Sequence, residues 1–173
     1  MIARTLTLMG GLAGAAGLSQ FPEFSQQYTQ RLAGAVDELA IVTQDFDRSA
    51  EAEGMTRDEA LRSLSGTGFA DRRRADMTRT FARYEQLKAD LDALRTAGPF
   101  TRATRIAHID DGKIARQAAR DYRPAAPLTF EGLTFGAVGL VLGSVAVLVL
   151  RDILSVLLWP FRRLSRSRPR RAS

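Results

Sequence analysis

The chain has 173 residues, 45% of them hydrophobic, with no cysteine, one histidine and a formal net charge of +6. That length holds one domain, or one small domain with membrane segments, and excludes a large multidomain enzyme. The lack of cysteine excludes disulfide frameworks, thiolate zinc sites, iron–sulfur ligation and cysteine nucleophiles. Between Pro22 and Leu128 stand 17 basic and 17 acidic side chains, so the excess positive charge belongs mostly to the C-terminal tail. A nucleic-acid-binding module would instead spread basic residues over a folded face, and no nucleic-acid partner is expected.

The first predicted element occupies residues 1–22. No charge interrupts Thr5 to Pro22 after Arg4, and the stretch is rich in glycine and alanine. Two readings compete. As a signal peptide it has Arg4 for its positive end, Leu6–Leu18 for its apolar core and Ala13-Gly14-Ala15 for a cleavage site, leaving a start near Ala16 or Gln20. As a retained transmembrane helix it runs on into Phe24, Tyr28, Leu32, Val36, Leu39, Val42 and Phe46 at three- and four-residue steps, with only Pro22 as a break. The continuity favours the retained helix.

Residues 23–128 are predicted helical throughout, forming an extracytoplasmic domain. The first helix spans Glu23 to Glu53 and stops at Gly54. Thr56-Arg57-Asp58-Glu59 has the form of a capping box, in which hydroxyl and carboxylate satisfy the free amides of a new helix. Ser65-Gly66-Thr67-Gly68 interrupts that helix. A longer one follows, with Met77, Phe81, Tyr84, Leu87, Leu91 and Leu94 on one stripe, and ends at Gly98-Pro99. A last amphipathic helix is expected to carry Phe100, Ile106, Ile109, Ile114 and Tyr122, leading through Pro124 and Pro127. Only 24 of these 106 residues are large apolar or aromatic. Narrow stripes of that kind suit an elongated hairpin, coiled coil or small bundle better than a thick core.

The C-terminal element is assigned to 129–161. Gly132 to Leu150 contains no charge, and as a helix it is about 28 Å long, close to the hydrocarbon thickness of a bilayer. Phe130, Glu131 and Phe135 mark one interface, Trp159 and Phe161 the other. Arg151 and Asp152 interrupt the apolar run. Either the span ends near Leu150 with 153–161 along the interface, or a tilted helix continues with Arg151 snorkelling; the shorter span is preferred because it already suffices. Arg162, Arg163, Arg166, Arg168, Arg170 and Arg171 in the tail 162–173 place that end in the cytoplasm and are expected to bind anionic lipid head groups. Both termini are then cytoplasmic and residues 23–128 periplasmic, in a bacterial inner membrane.

Small residues recur on both spans. Gly10, Gly14 and Gly17 share one helix face, as do Gly132, Gly136, Gly139 and Gly143. Such faces let helix backbones approach closely in lipid, so these two are expected to meet each other or their copies in another chain.

Residues 10–39, GGLAGAAGLSQFPEFSQQYTQRLAGAVDEL, are similar to an uncharacterised family of small bacterial membrane proteins classed as a domain of unknown function. GLSQFPEF is the distinctive part; Ala97–Phe100 (AGPF) and the apolar span followed by arginines extend the resemblance over most of the chain. It implies location and architecture but no site residues.

Chemical motifs are sparse. His108 with Asp110, Asp111 and Asp121 has too few ligands for zinc, although helical spacing puts His108 and Asp111 on one face. SGTG at 65–68 lacks the lysine and strand of a phosphate loop. The expectation is therefore an all-α membrane protein, not an enzyme and without cofactor. It acts as a scaffold or accessory subunit with itself or another membrane protein; an anchored ligand sensor is the alternative, and a membrane enzyme or small transporter is a weaker one.

Overall fold

A computed structural model describes residues 2–124 and 128–164, with side chains over 3–124 and 128–157. Among these the chain is helical, with no strand: α1 (Ile2–Leu18), α2 (Phe21–Ala52), α3 (Arg57–Ser63), α4 (Gly68–Arg95), α5 (Pro99–Thr104), a 3-10 turn (Ile106–His108), α6 (Gly112–Asp121) and α7 (Phe130–Leu164). The described residues fall into two compact units, one drawn from residues 2–21 with 124 and 128–164 and one of residues 22–123.

In the second unit, sequence spacing translates directly into packing. Tyr28, Leu32 and Val36 recur every four residues on α2, Leu87, Leu91 and Leu94 follow at steps of four and three on α4, and these stripes close with Ile114 and Ala118 of α6 into a buried three-helix core. Tyr28, Leu32 and Leu94 are fully buried. Further along the pair, Phe46 of α2 meets Phe81 of α4 edge-on at 5.2 Å. There Arg57, leading α3, lies 4.6 Å above the Phe81 ring and donates from Nε and Nη2 to Asp47 at 2.7 and 2.5 Å. That bidentate pair ties α3 back onto α2. Its hydrogen bond holds the Asp47 carboxyl below the usual carboxylate range, against the opposing effect of burial.

The capping box forms as its sequence implies. The Glu59 amide donates to the Thr56 hydroxyl and the Thr56 amide to Glu59 Oε2 at 2.8 Å. Gly54 and Gly66, both at positive φ, turn the chain before α3 and before α4.

The single helix expected over Phe100–Tyr122 is not present. Pro99 starts a six-residue α5, the 3-10 turn follows, and Asp111 starts α6 afresh. Two local causes decide this. The Asp111 carboxylate accepts hydrogen bonds from the amides of Lys113 and Ile114 at 2.9 Å, a cap that competes with helix continuation. Arg102 and Arg105 reach back to the Leu94 and Ala93 carbonyls, satisfying the exposed end of α4 and holding α5 against it.

Candidate functional site

The first unit contains the glycine faces. α1 and α7 run antiparallel, with Gly10 against Gly143 and Gly14 against Gly139. A Cβ on Gly14 or Gly139 would fall under 3.0 Å from the other's backbone, and one on Gly143 would strike the Gly10 carbonyl. Backbone therefore meets backbone, as only glycine permits here. Phe21 and Phe135 stack at 5.4 Å toward one end of the pair. The Ser144 hydroxyl lies 3.5 Å from the Thr7 carbonyl toward the other.

The predicted stripe is only partly the one in contact. Gly17 has nothing within 4 Å, and Gly136 makes ordinary contact with Ser19 and Ala15. Gly17, Gly132 and Gly136 line instead an apolar cleft of about 790 Å³ beside α1 and α7. Gly11, absent from the sequence reading, is buried against Leu140 and Ser144. Its signal was its place three residues before Gly14, because residues i and i+3 share a helix face.

The outward surface of the same pair is apolar. Leu8, Leu12, Leu133, Val141, Leu142 and Val149 all stand exposed. Among the described residues one helical stretch, Phe130–Leu157, is long and apolar enough to cross a membrane, and only 6% of its most apolar window is buried. α1 is apolar too but ends after 17 residues, at Leu18. α7 runs unbroken from Phe130 to Leu164, without interruption at Leu150. The side chains of Arg162 and Arg163, and Arg166, Arg168, Arg170 and Arg171 altogether, lie outside the described residues.

The polar residues of the second unit form separate small groups. His108 Nδ1 lies 2.7 Å from Asp90 Oδ1. Arg83 pairs with Asp111 Oδ2 at 2.7 Å, and the Asp111 amide donates to the Tyr28 hydroxyl at 3.3 Å. Burial raises the Asp111 carboxyl, but the amides of Ile114 and Lys113 and the Arg83 guanidinium outweigh it and hold the group below its usual range. Burial pushes the Tyr28 phenol up. His108 and Asp111 therefore serve different partners, and they do not share a helix face because the helix between them is broken. Asp121 belongs to a separate ion pair with Arg31. Among the described residues no group of three His, Asp or Glu side chains is placed to hold a metal. Asp90, the buried partner of His108, carried no signal in sequence beyond its place on the stripe side of α4.

Fold and site together define an all-helical protein with one helix of membrane-spanning length and apolarity, paired through glycines with a second apolar helix. The chain belongs to the family described as protein of unknown function (DUF2937), whose model matches residues 2–163. No curated protein and no solved structure matches it.

Proposed function

We propose that the chain is an integral protein of a bacterial inner membrane, in which α1 and the start of α7 form a two-helix hairpin and residues 22–123 serve on the periplasmic side as a helical scaffold or accessory subunit. The observation that carries this reading is the inside-out distribution of side chains in the α1–α7 pair. Glycines face the partner helix while the large aliphatic residues face outward. In water such a surface far exceeds the apolar patch a soluble protein tolerates. In lipid it is the expected arrangement, because packing between small residues, and not apolar burial, brings the helices together.

The two ends of the pair agree with this placement. Arg4 stands at one end and Glu131 at the other, α7 runs back toward the Arg4 end, and the sequence that follows it is rich in arginine, a composition that the positive-inside rule puts in the cytoplasm. α1, about 26 Å long at 1.5 Å per residue, is slightly short for a bilayer core of about 30 Å. Snorkelling of Arg4 and modest local thinning of the bilayer accommodate the difference. The scaffold role is supported by large apolar side chains that the 22–123 unit leaves exposed on separate helices: Ile41 and Val42 on α2 and Phe69 on α4.

The test is a C-terminally tagged full-length chain extracted from native membranes in mild detergent and read by size and mass spectrometry. A discrete partner or a defined homo-oligomer is expected; a clean monomer with no partner sinks the scaffold role. N-terminal sequencing of the mature protein that found a start near Ala16 or Gln20 would restore the signal-peptide reading and remove the hairpin.

A further inference from the structure

A second cleft, of about 600 Å³, lies at the Arg4 end of the hairpin, lined by Leu6 of α1 and by Val147, Leu150, Leu154 and the Arg151-Asp152 pair of α7. That volume is in the range of small-molecule and lipid sites, about 300–1,000 Å³. Its walls are aliphatic and its rim is charged, the two chemistries of a phospholipid in the order a bilayer presents them. The Arg151 guanidinium donates from Nε and Nη2 to one oxygen of Asp152, at 2.9 and 2.7 Å. Both side chains are more than half exposed, and an ion pair so placed holds only weakly, so a phosphodiester can compete for the guanidinium. The antiparallel register, Gly10 to Gly143 and Gly14 to Gly139, puts Arg4 within about a turn of the level of Arg151. The lining itself carries one guanidinium and one carboxylate, Arg151 and Asp152, and Arg4 adds a second cation at about the same level of the hairpin.

We propose that this cleft binds one anionic phospholipid, with an acyl chain along Leu6, Val147, Leu150 and Leu154 and its phosphate on Arg151. Asp152 opposes the anion and sets the affinity low enough for exchange with the bilayer. The site rests on the membrane reading above, and it gives Arg151 a role distinct from the tail arginines: it selects a head group at one position, whereas the tail attracts the anionic surface as a whole.

The full-length chain in mild detergent is titrated with phosphatidylglycerol and with phosphatidylcholine of the same acyl chains, and bound lipid is counted by native mass spectrometry. One phosphatidylglycerol is expected to be retained in preference to phosphatidylcholine. Arg151→Gln weakens it about fivefold, the effect of one arginine near a lipid surface, and Asp152→Asn strengthens it. The tail is unchanged in every variant, so these differences isolate the cleft, and elution position with helical circular dichroism confirms that each variant folds. Equal retention of the two lipids, unchanged phosphatidylglycerol binding by Arg151→Gln, or displacement of the lipid by millimolar inorganic phosphate overturns the proposal. A chain that needs detergent yet shows no lipid preference refutes the site and leaves the membrane reading standing; a chain that elutes as a soluble protein without detergent refutes both.

Discussion

Replacing Gly139 with isoleucine tests the hairpin most directly. The first added carbon would sit under 3.0 Å from the carbonyl carbon and oxygen of Gly14, and no rotamer change relieves a clash with backbone. The helices must part by on the order of 1 Å, and a gap of that size forfeits a quarter to a half of each dispersion contact along the seam. Overpacking of this kind costs about 1–3 kcal/mol, a shift of about 5- to 150-fold in the balance between paired and separated helices. Because the chain has no cysteine, Thr7→Cys with Ser144→Cys supplies a clean reporter: these residues face each other across the seam, with Ser144 Oγ 3.5 Å from the Thr7 carbonyl. Crosslinking by a short bismaleimide in native membranes should be fast in the parent and slow in the Gly139→Ile background. Gly17→Ile is the matched control, because nothing lies within 4 Å of that position. Equal rates in parent and Gly139→Ile, or equal slowing by both substitutions, would refute the reasoning.

Thermal unfolding of the full chain in detergent, followed by circular dichroism, checks three further expectations about the 22–123 unit. Leu94→Ala empties a fully buried position in the core shared by α2, α4 and α6 and should cost about 2–5 kcal/mol. Thr43→Val should stabilise by about 1 kcal/mol, because the Thr43 hydroxyl is buried with no hydrogen-bond partner among the described residues and valine keeps its shape. Asp111→Ala removes the α6 cap and should cost about 1 kcal/mol, whereas Asp111→Asn, which can still cap, should recover most of that. Acid provides an independent check. Asp111 and Asp47 both have carboxyls held below their unfolded values, so their contribution is present above the unfolded pKa of about 4 and is lost as pH falls through the folded values. Urea midpoints taken from pH 6 down to pH 3 should fall, and fall less steeply in Asp111→Asn; identical slopes would mean that Asp111 does not carry the dependence.

How much could be read from sequence follows from the range of each interaction. The α2 and α4 stripes, the Thr56–Glu59 capping box and the break at Ser65–Gly68 are local patterns, settled within one or two helical turns, and the observed elements start and stop within a few residues of where those patterns put them. The helix expected over Phe100–Tyr122 failed for the opposite reason. Its apolar spacing is helical, but Arg102 and Arg105 have better partners in the α4 carbonyls some eight to twelve residues upstream, and Asp111 caps a new helix while pairing with Arg83. Distant partners of that kind leave no periodic trace.

The same division holds in the apolar unit. Sequence alone determined that an uncharged, glycine-marked stretch lies toward each end, Thr5–Pro22 and Gly132–Leu150, and that the charge between them balances, because composition and period are properties of the local chain. Only the tertiary structure decided which glycines touch. A face defined by spacing is wider than a line of contact, and the antiparallel register of α1 on α7 selects Gly10 against Gly143, Gly14 against Gly139 and Gly11 against Leu140 and Ser144, while leaving Gly17 beside an open cleft. Register is set by close packing between segments more than a hundred residues apart, and no local pattern encodes it.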